Sequence, residues 1–151
     1  RQMCIRDSTI ADDNDVRRLI VEQATLPRSE RGELFELLDR KQRQVTERRA
    51  ELGRSGDASW FLQDARGYQR WRFPRSDTID APFSCRDYFH GLGNRGLPVK
   101  PLPGETDHCP EMTPIRRPHV SAPYTSQTSR VWKIALSVPV YDRPEGDAER
   151  Q

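Results

Sequence analysis

Apolar residues recur at near-helical spacing between Asp12 and Ala24, at Val16, Leu19, Ile20 and Val21, and Asp12, Asp13 and Asp15 stand where acidic groups favour a helix N-terminus. The spacing predicts a short helix that Pro27 interrupts. Ser29 suits the cap of a second helix reaching about Leu52, with Gly53 as its left-handed stop. On that helix Leu34, Leu37, Leu38, Val45 and Leu52 lie on or near one stripe, which thins after Leu38, while Arg40, Lys41, Arg43, Arg48 and Arg49 mostly occupy the remainder.

Strand patterns follow. Ser59 to Gln63 and Tyr68 to Phe73 flank Asp64-Ala65-Arg66-Gly67, in which Asp suits the first turn position and Gly supplies positive φ, so a β-hairpin is predicted. A loop from Arg75 to Pro82 leads to Phe83-Ser84-Cys85-Arg86-Asp87-Tyr88-Phe89-His90-Gly91, which includes a short helix and puts a cation, two aromatic rings and a histidine within five residues. Glycines and prolines then punctuate the chain from Gly93 to Pro118, a loop long enough to suggest function or disorder. A second hairpin is predicted from His119–Tyr124 and Val131–Tyr141, with Trp132, Ile134, Leu136, Val138 and Val140 on the core face and Lys133, Ala135, Ser137 and Tyr141 on the other. Helices first and antiparallel strands afterwards imply an α+β fold with the N-terminal helices packed across one sheet face.

Composition narrows this picture. A chain of 151 residues is the size of one domain, and its hydrophobic fraction of 34% and mean hydropathy of −0.90 imply a thin core. The net charge of +2 arises from 25 basic and 23 acidic residues that are interspersed, which gives no field strong enough to argue for nucleic acid. Glu47 and Glu51 interrupt the bases of the second helix, and no aromatic residue lies among them to stack on a single strand. No run of 18 apolar residues occurs. The first eight residues read as a translated sequencing-adapter scar, residues 9–142 as the domain, its C-terminal strand expected to be missing, and residues 143–151 as a polar tail. With Cys4 set aside, Cys85 and Cys109 remain, and a disulfide between them or two separate thiols are both open.

The hairpin from Trp60 to Gly67, the segment Arg86-Asp87-Tyr88-Phe89, and Ala122-Pro123-Tyr124 with Ala135-Leu136-Ser137-Val138-Pro139-Val140 together resemble an extracytoplasmic Cache sensor domain, a PAS-like fold. The segment Asp87 to Gly91 looks most like the sensor regions of bacterial transmembrane serine/threonine kinases, and the family also serves chemoreceptors. The resemblance implies a non-catalytic domain, attached to the membrane through flanking helices, that binds a small molecule between sheet and cover and signals through its N-terminal helix, by which it also forms a homodimer. By resemblance Arg86 corresponds to the arginine holding a ligand carboxylate, with Tyr88 and Phe89 beside it. Amino-acid-sensing members have a tyrosine five residues before that arginine and an aspartate two residues after the later strand's tyrosine. Ala81 and Ser126 stand at these positions here, which removes the reason to expect an α-amino acid.

Read as residues, Arg86 offers the planar bidentate donors that suit a carboxylate, against a structural salt bridge to Asp87. Trp71, Tyr88, Phe89, Tyr124 and Ser126 are candidate pocket walls, each with a core or turn role as the alternative, and His90 is a candidate ligand donor or a hydrogen-bonded structural histidine. No cofactor is expected. The alternative function is a metal module built from His90, Asp107, His108, Cys109 and His119, although no local ligand pair fixes it. No nucleophile elbow, phosphate loop or His-Glu-x-x-His motif marks an enzyme.

Overall fold

The structure, a computed structural model, describes residues 13–53, 59–93, 112–126 and 130–140. The chain divides into two compact units, residues 1–59 with 140–151 and residues 60–139. Its class is α+β.

In the first unit, helix α1 (Asn14–Gln23) starts from Asp13, whose Oδ1 accepts the N–H groups of Asp15 (3.0 Å) and Val16 (3.1 Å). The other carboxylate oxygen of Asp13 pairs with Lys41 on helix α2 (Gly32–Glu51). Val16 and Leu19 of α1, and Leu34, Leu37 and Leu38 of α2, are buried, and the stripe of α2 ends as its spacing predicts, with Leu52 exposed. The expected cap is replaced. Ser29 lies inside a 3-10 turn (Arg28–Glu30), and α2 begins one turn later with no capping side chain of its own. The end of α1 supplies the partner instead, because the Oε1 of Gln23 accepts the Leu34 N–H (3.1 Å) while its Nε2 donates to Glu33 (3.1 Å). Gly53 ends α2 at φ +66, as expected.

In the second unit, β1 (Trp60–Gln63) and β2 (Gln69–Phe73) form the predicted antiparallel hairpin, with Phe61 opposite Arg72 and Leu62 opposite Trp71. Asp64 Oδ1 accepts the N–H groups of Arg66 (2.9 Å) and Tyr68 (3.0 Å), which folds the turn. Gly67, at φ +85, is required there twice over, since a Cβ would also lie 2.7 Å from the Ser84 backbone. The turn is thereby tied to the segment before helix α3 (Asp87–His90), and the Phe83 N–H donates to the Gly67 carbonyl (2.8 Å).

The second predicted hairpin is rearranged. Strand β3 (His119–Val120) pairs with β6 (Leu136–Ser137), and β4 (Tyr124–Thr125) pairs with β5 (Trp132–Lys133). The expected long core strand is broken at Ile134 and Ala135, and over residues 132–135 burial is the reverse of the pattern, while Leu136, Ser137, Val138 and Val140 are all half-buried and Tyr141 lies outside the described residues. Trp132 and Ile134 are 74% and 62% exposed, whereas Ala135 is buried. The break has a local cause: Ala135 exchanges hydrogen bonds with Ser121, donating its N–H to the Ser121 hydroxyl (2.9 Å) and accepting the Ser121 N–H (2.9 Å). That anchors the small side chain against Phe83, Tyr88 and Phe89, with Phe61, Ala81, Met112 and Tyr124 packed around them. No bulky residue of the strand enters this space. Among the described residues the strands form three two-stranded pieces.

Candidate functional site

Helix α3 is one turn long, too short to hold itself together, yet all four of its residues are buried. Asp87 supplies the fixing contacts. Its Oδ1 accepts the Gly93 N–H (2.6 Å), and its Oδ2 accepts the Ala122 N–H (2.6 Å) and meets His119 Nε2 at 3.1 Å. Desolvation alone would raise the pKa of this carboxyl. The bonds from Ala122, His119 and Gly93 outweigh it and hold the group below the usual carboxylate range. The expected salt bridge from Arg86 to Asp87 is therefore not what this carboxylate does.

His90 is also accounted for. The Leu92 N–H donates to Nδ1 (3.0 Å), which makes Nδ1 the unprotonated nitrogen, and Nε2 faces the Cys85 carbonyl at 3.2 Å as the donor. With both nitrogens committed to backbone, His90 holds the helix and has no nitrogen for a ligand or metal. It also borders an open depression of ≈ 550 Å³ whose other walls are Leu92, Met112, Thr113, Pro114, Ile115 and Arg116. Cys85 is disulfide-bonded. The other two cysteines, Cys4 and Cys109, lie outside the described residues, as do Asp107 and His108. Among the described residues no three His, Cys, Asp or Glu side chains converge.

The remaining candidates form a row of rings. Phe61 of β1 meets Tyr88 at 5.0 Å between centroids, Tyr88 meets Tyr124 at 5.3 Å, and the Arg86 guanidinium lies over Tyr124 at 5.5 Å. Phe89, on the same turn, is buried in the core behind this row. Tyr88 is 5% exposed, and burial pushes its phenol far above the ordinary value even though Arg86 pulls the other way. Tyr124 is half-buried and shifted upward for the same reason. Arg86 itself is half-buried, with its Nε buried and without a hydrogen-bond partner. A buried donor left unsatisfied costs about 1–3 kcal/mol, and because this atom has almost no accessible surface an acceptor reaches it only if the side chains around it shift.

Two sequence candidates fall away from the row. Trp71 is buried, but it alternates with Arg72 along β2 and so faces away from Phe61 and Tyr88. Ser126 is buried at the β4–β5 turn, where its N–H donates to Val131 and its carbonyl accepts from Arg130 (both 2.9 Å). It serves the turn. Sequence reasoning missed two participants, Phe61 and Arg72. Period-two alternation on β2 together with the hairpin register puts Arg72 beside Phe61, so the signal was present once the register was fixed.

The arrangement thus offers one uncommitted guanidinium, two tyrosines in an apolar setting and a second arginine beside them, a constellation suited to holding an anion and lacking an activated nucleophile. Comparisons with protein families, with curated proteins and with solved structures return no match to this chain.

Proposed function

We propose that residues 60–139 form a small-molecule sensing module of a membrane-anchored signalling receptor, exposed outside the cytoplasmic membrane and binding a carboxylate at Arg86. The observation that carries this reading is the buried, unpartnered Nε of Arg86 above the Tyr124 ring. Guanidinium in a partly desolvated site binds carboxylate through charge-assisted, often paired hydrogen bonds. The neighbouring rings favour a ligand with an apolar body, and nothing in the site calls for a metal or a covalent step. The disulfide at Cys85 is in keeping with an oxidising compartment. The likeness of the segment Asp87 to Gly91 to the sensor regions of bacterial transmembrane serine/threonine kinases supplies the receptor context.

A ligand signals in such a module only if it binds one packing of the domain better than another. Bridging Arg86 and Tyr124 would do this, because Arg86 borders helix α3 and Tyr124 belongs to β4. A thermal-shift screen of carboxylates, amines and sugars tests the proposal, with wild type and Arg86→Ala in parallel. Carboxylates should raise the wild-type melting temperature and leave Arg86→Ala unmoved. No shift with any carboxylate, or equal shifts in both proteins, would remove the reading.

A further inference from the structure

We infer that the ribbon built from residues 119–126 and 130–137 docks through its outer face onto an anionic lipid bilayer. The inference goes beyond the reading of Arg86 and does not depend on it.

The pairs β3–β6 and β4–β5 are successive stretches of one antiparallel ribbon. Val120 stands opposite Leu136, Ser121 and Ala135 exchange two hydrogen bonds, and further along Tyr124 stands opposite Lys133 and Thr125 opposite Trp132. Alternation sorts the side chains. Along one strand Trp132, Ile134 and Leu136 alternate with Lys133 and Ala135, and Ala135 is buried against the aromatic core. Partners across a pair share a face, which adds Val120 and Thr125 to the outer side and leaves Tyr124 on the core side. Val120, Trp132 and Ile134 are each more than half exposed, as is Val131 beside them. A chain with so thin a core has thus left a tryptophan and three aliphatic side chains in water, and a grouped apolar surface of this kind marks a contact with something outside the fold.

Charge decides what that contact is. Among the described residues 112–126 and 130–140 the charged side chains are Arg116, Arg117, Arg130 and Lys133, with His119 as a titratable group, and there is no aspartate or glutamate. Arg116 and Arg117, both exposed, lead into β3 at one end of the ribbon, and the exposed Arg130 leads into β5 at the other. Asp87, which bonds Ala122 and His119, does so from the core side and is buried. An apolar face with cations at both ends matches a surface that is apolar inside and anionic at its boundary. A second copy packed face to face would instead bring cations against cations. Beyond Thr125 the outer face holds no hydrogen-bonding side chain except the indole, so little on it would fix one particular peptide, whereas a tryptophan is suited to the boundary between lipid and water.

Co-sedimentation of the full chain with vesicles of phosphatidylcholine alone, and of phosphatidylcholine mixed with phosphatidylglycerol, tests this. The proteins compared are wild type, Trp132→Ser combined with Ile134→Ser, Arg117→Gln, Arg130→Gln and the control Arg66→Gln, an exposed residue of the β1–β2 turn. Wild type and Arg66→Gln should partition onto the phosphatidylglycerol vesicles at least about tenfold more strongly than onto phosphatidylcholine. Each of the other arginine substitutions should weaken this about fivefold, and the combined Trp132 and Ile134 variant should weaken it at least about tenfold. Bromine-labelled acyl chains should quench the fluorescence of wild type and not that of the combined variant, whose urea midpoint verifies that it is folded. Equal partitioning onto both vesicles would overturn the anionic bilayer, and undiminished binding by the combined variant would overturn the ribbon as its contact. Tighter binding of polyglutamate than of vesicles would give the face to an acidic peptide, and a wild-type dimer that the combined variant dissociates would give it to a second copy. Either result, or no binding to any vesicle, would overturn the inference, and none of them bears on carboxylate binding at Arg86.

Discussion

Replacing Asp87 should unfasten helix α3 and with it the site. In Asp87→Ala the part-buried N–H groups of Gly93 and Ala122 lose their acceptor, and His119 loses its partner. An unsatisfied buried donor costs about 1–3 kcal/mol, so two cost about 2–6 kcal/mol. Water can reach Gly93, which is half-buried, so the lower part of that range, about 2–4 kcal/mol, is expected. Against a typical stability of about 5–15 kcal/mol this is a large fraction. Asp87→Asn retains one acceptor oxygen but turns an amide N–H₂ towards the other donor, and should lose about 1–3 kcal/mol. Urea unfolding followed through fluorescence of the buried Trp71 reads both effects as shifts in midpoint. The pH dependence gives an independent check. Because the folded-state pKa of Asp87 is depressed, its contribution is complete above the unfolded value of about 3.9 and is lost as pH falls through the lower folded value. Wild type should therefore lose more stability than Asp87→Ala on acidification below about pH 4. An Asp87→Ala midpoint within about 0.5 kcal/mol of wild type, the range of ordinary surface substitutions, would refute the reasoning.

Other substitutions probe the rest of the framework. Gly67→Ala should destabilise by about 2–4 kcal/mol in the same assay, combining left-handed backbone cost with overpacking against Ser84, whereas Gly32→Ala, whose Cβ meets nothing within 4 Å, should stabilise by about 0.5 kcal/mol. Asp13→Ala removes both the N-cap of α1 and the pair with Lys41 and should cost about 1–2 kcal/mol. Lys41 in the first place holds the Asp13 carboxyl below its usual range, so this difference should be present at neutral pH and vanish as pH falls through that depressed value. Trp132→Ser should change the unfolding midpoint by no more than about 0.5 kcal/mol, given the exposure of that ring, and a loss above about 2 kcal/mol would contradict the placement of β5. Reduction of the Cys85 disulfide should lower stability by about 2–4 kcal/mol, measured as the melting temperature with and without thiol.

How far the residues foretold this arrangement depends on whether local chemistry or tertiary packing decided each element. The β1–β2 turn was legible because Asp64 and Gly67 act on their own backbone, and the start of α1 because Asp13 does the same. The cap of α2 was not, since Gln23 reaches it from another helix. The alternation pointed the wrong way from Trp132 to Ala135 because the Ser121 contact and the three aromatics of the core select Ala135 by size, and periodicity carries no information about the volume left by distant residues. At the site, the density of chemistry from Phe83 to Gly91 was visible, but the roles were redistributed. Asp87 and His90 hold the helix, and Arg86 is left with its Nε unpartnered. Arg72 entered only when the hairpin register put it opposite Phe61.

The Nε–H of Arg86 can be watched directly by nitrogen-15 NMR, with its resonance assigned by disappearance in Arg86→Lys. On addition of succinate this signal should sharpen and move downfield as the buried donor gains a carboxylate acceptor, while the Nε–H of Arg70, already bonded to Asp64 at 2.8 Å, stays in place. An Arg86 resonance that does not respond to any carboxylate, or one that responds no more than that of Arg70, would contradict an anion site at this residue.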